Sequence, residues 1–156
     1  MTEQYLPRTI NYDDAVSASV TATGATALGA PGNTAVVVFS TPSTPVGNVT
    51  VVSTPADGTV LTFTTPGQYL VVASLDFAAA ANASIQKGGV APVNAVPAGF
   101  AGGNVAFQAL AAAGTASLTA LVTVTAADLV SPSTGNQVRV LASVAPTAGT
   151  LSVTGL

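Results

Sequence analysis

The chain is 156 residues long, enough for one domain with a hydrophobic core of its own. Charged residues make up 6% of it, against about 25% in an ordinary soluble domain, while apolar residues reach 49%. Arg8, Lys87 and Arg139 are the only cations and the net charge is −3, which excludes the basic patch that nucleic acid or anionic lipid would need.

The absence of His and Cys, together with a single Lys, removes the usual groups of acid–base and covalent catalysis, so no enzyme and no cofactor is expected. A surface so poor in charge is expected to be covered by protein contacts in use. Tyr69 to Ala83, the longest apolar stretch, is interrupted by Ser74, Asp76 and Asn82 and is too short to span a membrane. The start, MTEQYLPRTINYDD, lacks the cationic head and apolar core of a signal peptide, so synthesis inside a cell is the expectation.

Residues 1–14 hold four of the nine charges (three Lys and Arg, six Asp and Glu) and no strand alternation, and read as an extended arm. Tyr5, Leu6, Arg8, Ile10 and Tyr12 are its candidate partner contacts; a solvated tail with incidental aromatics is the plainer alternative. The neighbours Asp13 and Asp14 point apart in an extended chain and make no carboxylate pair. Residues 15–33 read as a weak strand, Ala15 to Thr23, followed by a loop from Gly24 to Asn33.

From residue 34 to 156 short Val-, Thr- and Ala-rich runs alternate with Pro and Gly, the pattern of an all-β domain of about eight or nine strands. TAVVVFS (34–40) is a buried strand; Val49 to Ser53 and Val60 to Thr64 flank a Pro55-Ala56-Asp57-Gly58 turn. After Pro66-Gly67, the run Gln68 to Phe77 puts Tyr69, Val71, Ala73, Leu75 and Phe77 on a core face. Its other face carries Leu70 and Val72, which a sandwich leaves uncovered, so both are assigned to a subunit contact.

Ser84 to Gln86 with Lys87-Gly88-Gly89 reads as an edge hairpin, and residues 90–103 as a long loop. Strands follow at Asn104 to Leu110, Ser117 to Thr125, Gln137 to Val144 and Thr150 to Thr154. In the second of these Leu121 breaks the alternation that places Val122 inward. Val138 and Val140 point to the core, with Phe63, and Arg139 between them is expected to be a solvated or rim charge.

The candidate chemistry is thin. Asp76 and Asp128 would need several further oxygens to hold Ca²⁺, and are read as turn-capping or solvent-facing carboxylates instead, with no metal expected. Asn48-Val49-Thr50 and Asn82-Ala83-Ser84 match the glycosylation triplet, but 34 Ser and Thr and seven Asn give about 1.5 such triplets by chance.

Three segments, FTTPGQYLVVASLDF (63–77), TGNQVRVLASV (134–144) and TLSVTGL (150–156), resemble the jelly roll of the tumour necrosis factor and complement globular-head superfamily. Phe63, Pro66, Gly67, Tyr69, Gly135 and Val138 match its pattern, and Asn136 stands where Asp is more usual. The resemblance covers roughly residues 34–156 and implies an antiparallel jelly-roll sandwich that forms homotrimers. Phage members of this group serve as capsid decoration or cement proteins and as fibre tips, often with a small N-terminal extension. The expectation is therefore a virion structural protein on the capsid exterior, with itself and a capsid or other virion protein as partners. A receptor-binding fibre or spike tip is the alternative, with Phe100 the one aromatic in its long loop.

Overall fold

A computed structural model describes residues 18–28, 36–55, 57–88, 104–130 and 135–156. Eleven strands follow in order: β1 (Ala18–Leu28), β2 (Val37–Pro42), β3 (Val46–Gly47), β4 (Val49–Thr54), β5 (Gly58–Phe63) and β6 (Gly67–Phe77). Then come β7 (Ala81–Lys87), β8 (Asn104–Leu110), β9 (Gly114–Val124), β10 (Gln137–Ala142) and β11 (Ala148–Gly155). Between β9 and β10 lies a 3-10 turn, Ala126–Leu129, which the sequence pattern did not reveal.

The strands form two antiparallel sheets. The first has the order β2-β1-β11-β6-β9, with β3 also pairing β1; the second has the order β4-β5-β10-β7-β8. Four strand pairs are nested in the sequence: β1 with β11, β5 with β10, β6 with β9 and β7 with β8. Such nesting is what results when one long hairpin is folded over on itself.

Alternation explains the central strand. Along β6 the residues Tyr69, Val71, Ala73, Leu75 and Phe77 are buried, and those between them are half-buried or exposed. Their buried face meets Leu118, Ala120, Val122 and Val124 of β9 and Leu151 and Val153 of β11 beside it, and Phe63, Ile85, Val138 and Val140 of the second sheet across the core. Phe63 and Tyr69 stack at the end of this core, ring centroids 3.9 Å apart and 25° between planes, while the Tyr69 hydroxyl donates to the Thr65 carbonyl at 2.6 Å.

Three local expectations change. Gly24 to Leu28 is strand rather than loop, because β2 pairs β1 as far as Leu28, with a register shift between Ala25 and Ala27, whereas β11 pairs only Ser19 to Thr23; backbone pairing overrides the weak strand preference of Gly and Ala. The segment read as an edge hairpin is β7, an interior strand between β10 and β8. Its inward Ala81, Ala83 and Ile85 are buried, and small side chains gave little alternation to read. The third is Arg139, described with the surfaces below.

At the β4–β5 turn Gly58 has φ 77°, and a Cβ there would stand 2.8 Å from the Val37 carbonyl oxygen. Glycine is required twice over, by the left-handed backbone and by the close approach of the chain entering β2.

Candidate interaction surfaces

On the first sheet the outward side chains of β6, β9 and β11 form a nearly uncharged face. Leu70 of β6 stands directly between Leu121 of β9 and Thr154 of β11, and Val72 stands between Thr119 and Ser152. Leu70 and Val72 are half-buried, and Leu121 is 54% exposed. Around them lie the exposed hydroxyls of Thr115, Ser117, Thr119, Thr123, Thr150 and Thr154. Asp76, at the end of β6, accepts a 2.6 Å hydrogen bond from Thr115 Oγ1.

A second apolar exposure belongs to β8. Alternation turns Ala106 and Leu110 towards the core and leaves Val105 and Phe107 outside, 40% and 49% exposed. The two patches therefore lie on different sheets.

Next to Phe107 on this same outer face of the second sheet, the side chains are covered. Arg139, Leu141 and Ser84 are fully buried there, and Arg139 sits between Val60 and Gln86 on the neighbouring strands. Arg139 is thus not the rim charge expected from its outward position, because outward on this sheet does not mean solvated. Its Nε donates to Gln86 Oε1 at 2.9 Å. Burial holds the guanidinium pKa below its ordinary value, and the Asp57 carboxylate opposes that shift only in part. Beside it a depression of about 240 Å³ is lined by Val52, Thr54, Asp57, Val60, Thr62 and Gln137.

The acids are separately engaged. Asp57 accepts from Thr54 Oγ1 at 3.2 Å, while its own N–H donates back to that oxygen at 3.0 Å. Asp128 Oδ2 accepts from the Thr125 N–H at 2.8 Å, the Thr125 hydroxyl at 2.9 Å and Lys87 Nζ at 3.3 Å. The Thr125 N–H is the largest cause of its lowered pKa. Asp76 and Asp128 do not converge: Asp76 pairs with Thr115 at one end of β9 and Asp128 follows its other end, about 30 Å along the strand.

No protein-family model matches the chain, and no curated protein matches it.

Of the residues singled out from sequence, Phe63, Tyr69, Val71, Leu75, Phe77, Val122, Val138 and Val140 lie together in the core, and Leu70 and Val72 share the outer face of the first sheet. Tyr5, Leu6, Arg8, Ile10 and Tyr12 lie outside the described residues, as do Asp13, Asp14 and the loop carrying Phe100. Sequence reading missed Leu121 as a surface residue, although its break of alternation was the signal. It also missed Phe107, whose phase within Asn104–Leu110 decides which face it takes.

Proposed function

We propose that this protein is a homotrimeric jelly-roll decoration protein of a virus capsid, which tightens contacts between capsomers by burying surface rather than by turnover. The observation that carries the reading is the outer face of β6, β9 and β11, whose one charge, Asp76, lies at its end and where Leu70, Val72 and Leu121 abut among hydroxyls. Such a face is suited to a protein partner, since burying its centre around Leu70, Val72 and Leu121 strips no charge of water.

The nested strand pairing supports the jelly-roll reading. Two different apolar patches on two sheets support a ring: a contact between unlike surfaces closes on itself only by rotation, as in a trimer. The arm of residues 1–14 is assigned to the capsid, with Tyr5, Leu6, Ile10 and Tyr12 as anchors. Three copies of one weak contact bind together, and avidity strengthens them by about 10²-fold or more.

Light scattering on the purified protein and imaging of native particles test this. A trimer covering the shell at many copies supports it, and a monomer at micromolar concentration overturns it. Deleting residues 1–14 is expected to leave a folded trimer that binds particles far more weakly. The alternative, a receptor-binding tip, draws support from the depression beside Asp57 and Gln137; it requires few copies per particle, at a fibre or spike end.

A further inference from the structure

An edge strand presents a row of unpaired N–H and C=O groups to which another copy's edge can add. Among the described residues, the edges of the first sheet are β2 and β9. At 11 residues β9 is about twice the usual strand length. Its outward residues Thr115, Ser117, Thr119, Leu121 and Thr123 include no charge and no proline, the common protections of an edge. With three cations in the whole chain, lysine is hardly available for that purpose.

Side chains from the second sheet reach both edges instead. Gln108 of β8 accepts the Ser117 N–H of β9 through Oε1 at 2.7 Å. On the opposite side Thr59 Oγ1 of β5 accepts the Phe39 N–H of β2 at 2.8 Å. Ser53 of β4 donates to the Phe39 carbonyl at 3.3 Å and stands 2.7 Å from the Thr59 hydroxyl. In each case a backbone group facing away from its own sheet is held by a side chain of the other.

We infer that Gln108 is an edge guard: its amide oxygen occupies a backbone donor that the edge strand of a second copy would otherwise take, and so keeps copies of this chain from adding to one another edge to edge. The partner excluded is another molecule of the same protein. Thr59 does the same at β2, but it is fully buried and cannot be changed without disturbing the core. The Gln108–Ser117 bond is exposed and can be removed with little else. This inference does not depend on the trimer, since it concerns growth without limit and not a closed assembly.

The full-length protein and three variants test it by light scattering and thioflavin fluorescence over time. Gln108→Leu is expected to grow into large thioflavin-positive assemblies while the wild type keeps its size. Gln108→Glu retains an acceptor and is expected to behave as wild type. Adding Ser117→Pro to Gln108→Leu removes the exposed donor itself, which an edge position tolerates, and is expected to stop the growth. Hydrogen exchange on the wild-type protein gives a reading that needs no variant to fold: the Ser117 amide should be protected about 10-fold or more over its free-peptide rate. The inference is overturned by a Gln108→Leu protein that keeps its size, by a double variant that grows as fast as the single one, or by a Ser117 amide that exchanges freely.

Discussion

Asn136 and Phe63 hold each other in both directions across the end of the second sheet. The Phe63 N–H donates to the Asn136 carbonyl at 2.9 Å, and Asn136 Nδ2 donates to the Phe63 carbonyl at 2.8 Å. An aspartate at this position would have no hydrogen to give when ionised.

Asn136→Asp should therefore destabilise the fold at neutral pH by about 1–3 kcal/mol, the cost of setting an acceptor against an acceptor. The new carboxyl would have its folded pKa raised, so the deficit should shrink as pH falls through that value and the group regains a proton to donate. Urea unfolding of both proteins at pH 7 and pH 4 measures it. Equal stability at pH 7 would show that the Asn136 side chain does not hold Phe63.

Tyr69 contributes in two separable ways, through ring burial and through the hydroxyl that ties it to Thr65 before the Pro66-Gly67 turn. Tyr69→Phe removes the hydroxyl bond alone and should cost about 1 kcal/mol. Tyr69→Ala also empties the space beside Phe63 and should cost roughly 3–5 kcal/mol. Thermal unfolding that ranks the two variants equally would contradict the burial of this ring.

How much of this was legible in the sequence depended on side-chain size. From Tyr69 to Phe77 both aromatics share one phase and the polar Ser74 and Asp76 share the other, so the buried face could be read directly. Ala18–Leu28 and Ala81–Lys87 are rich in small residues and show little size alternation in sequence, so strand extent and position were set by backbone pairing that no residue announces. Arg139 shows a different limit. Period two places it outward, correctly opposite Val138 and Val140, but whether an outer face meets solvent is decided by the rest of the chain. The edge contacts of Gln108 and Thr59 were out of reach for a similar reason, since their partners Ser117 and Phe39 belong to the other sheet.

Asp128 gathers Thr125 and Lys87 onto one carboxylate oxygen after β9, and a Cβ at Gly135 would overlap that carboxylate. Its folded-state pKa is depressed. The stabilisation is thus present above the ordinary aspartate value, about 3.9, and is lost as pH falls through the lower folded value. Asp128→Asn should be less stable than wild type at pH 7, and the difference should narrow below about pH 4. A gap that stays constant from pH 7 to pH 2 would mean the loss arises from packing and not from the charge.

Leu121 decides whether the outer face of the first sheet is an interface. A large aliphatic side chain 54% exposed beside Leu70 has little to gain from water. Burying one such side chain fully is worth about 1.5–3 kcal/mol, and a trimer would bury three. Leu121→Asp replaces that gain with a carboxylate stripped of water at each copy, at a cost of several kcal/mol per charge. Within the monomer the same substitution adds one charge to an exposed position and should leave the melting curve of the isolated fold nearly unchanged. Val130→Asp is the matched control, because Val130 is 65% exposed and follows the 3-10 turn, outside β6, β9 and β11. Light scattering should give three chains for the wild type and Val130→Asp, and one chain for Leu121→Asp. If Leu121→Asp remains a trimer, copies meet elsewhere, and Val105 and Phe107 of β8 become the next residues to change.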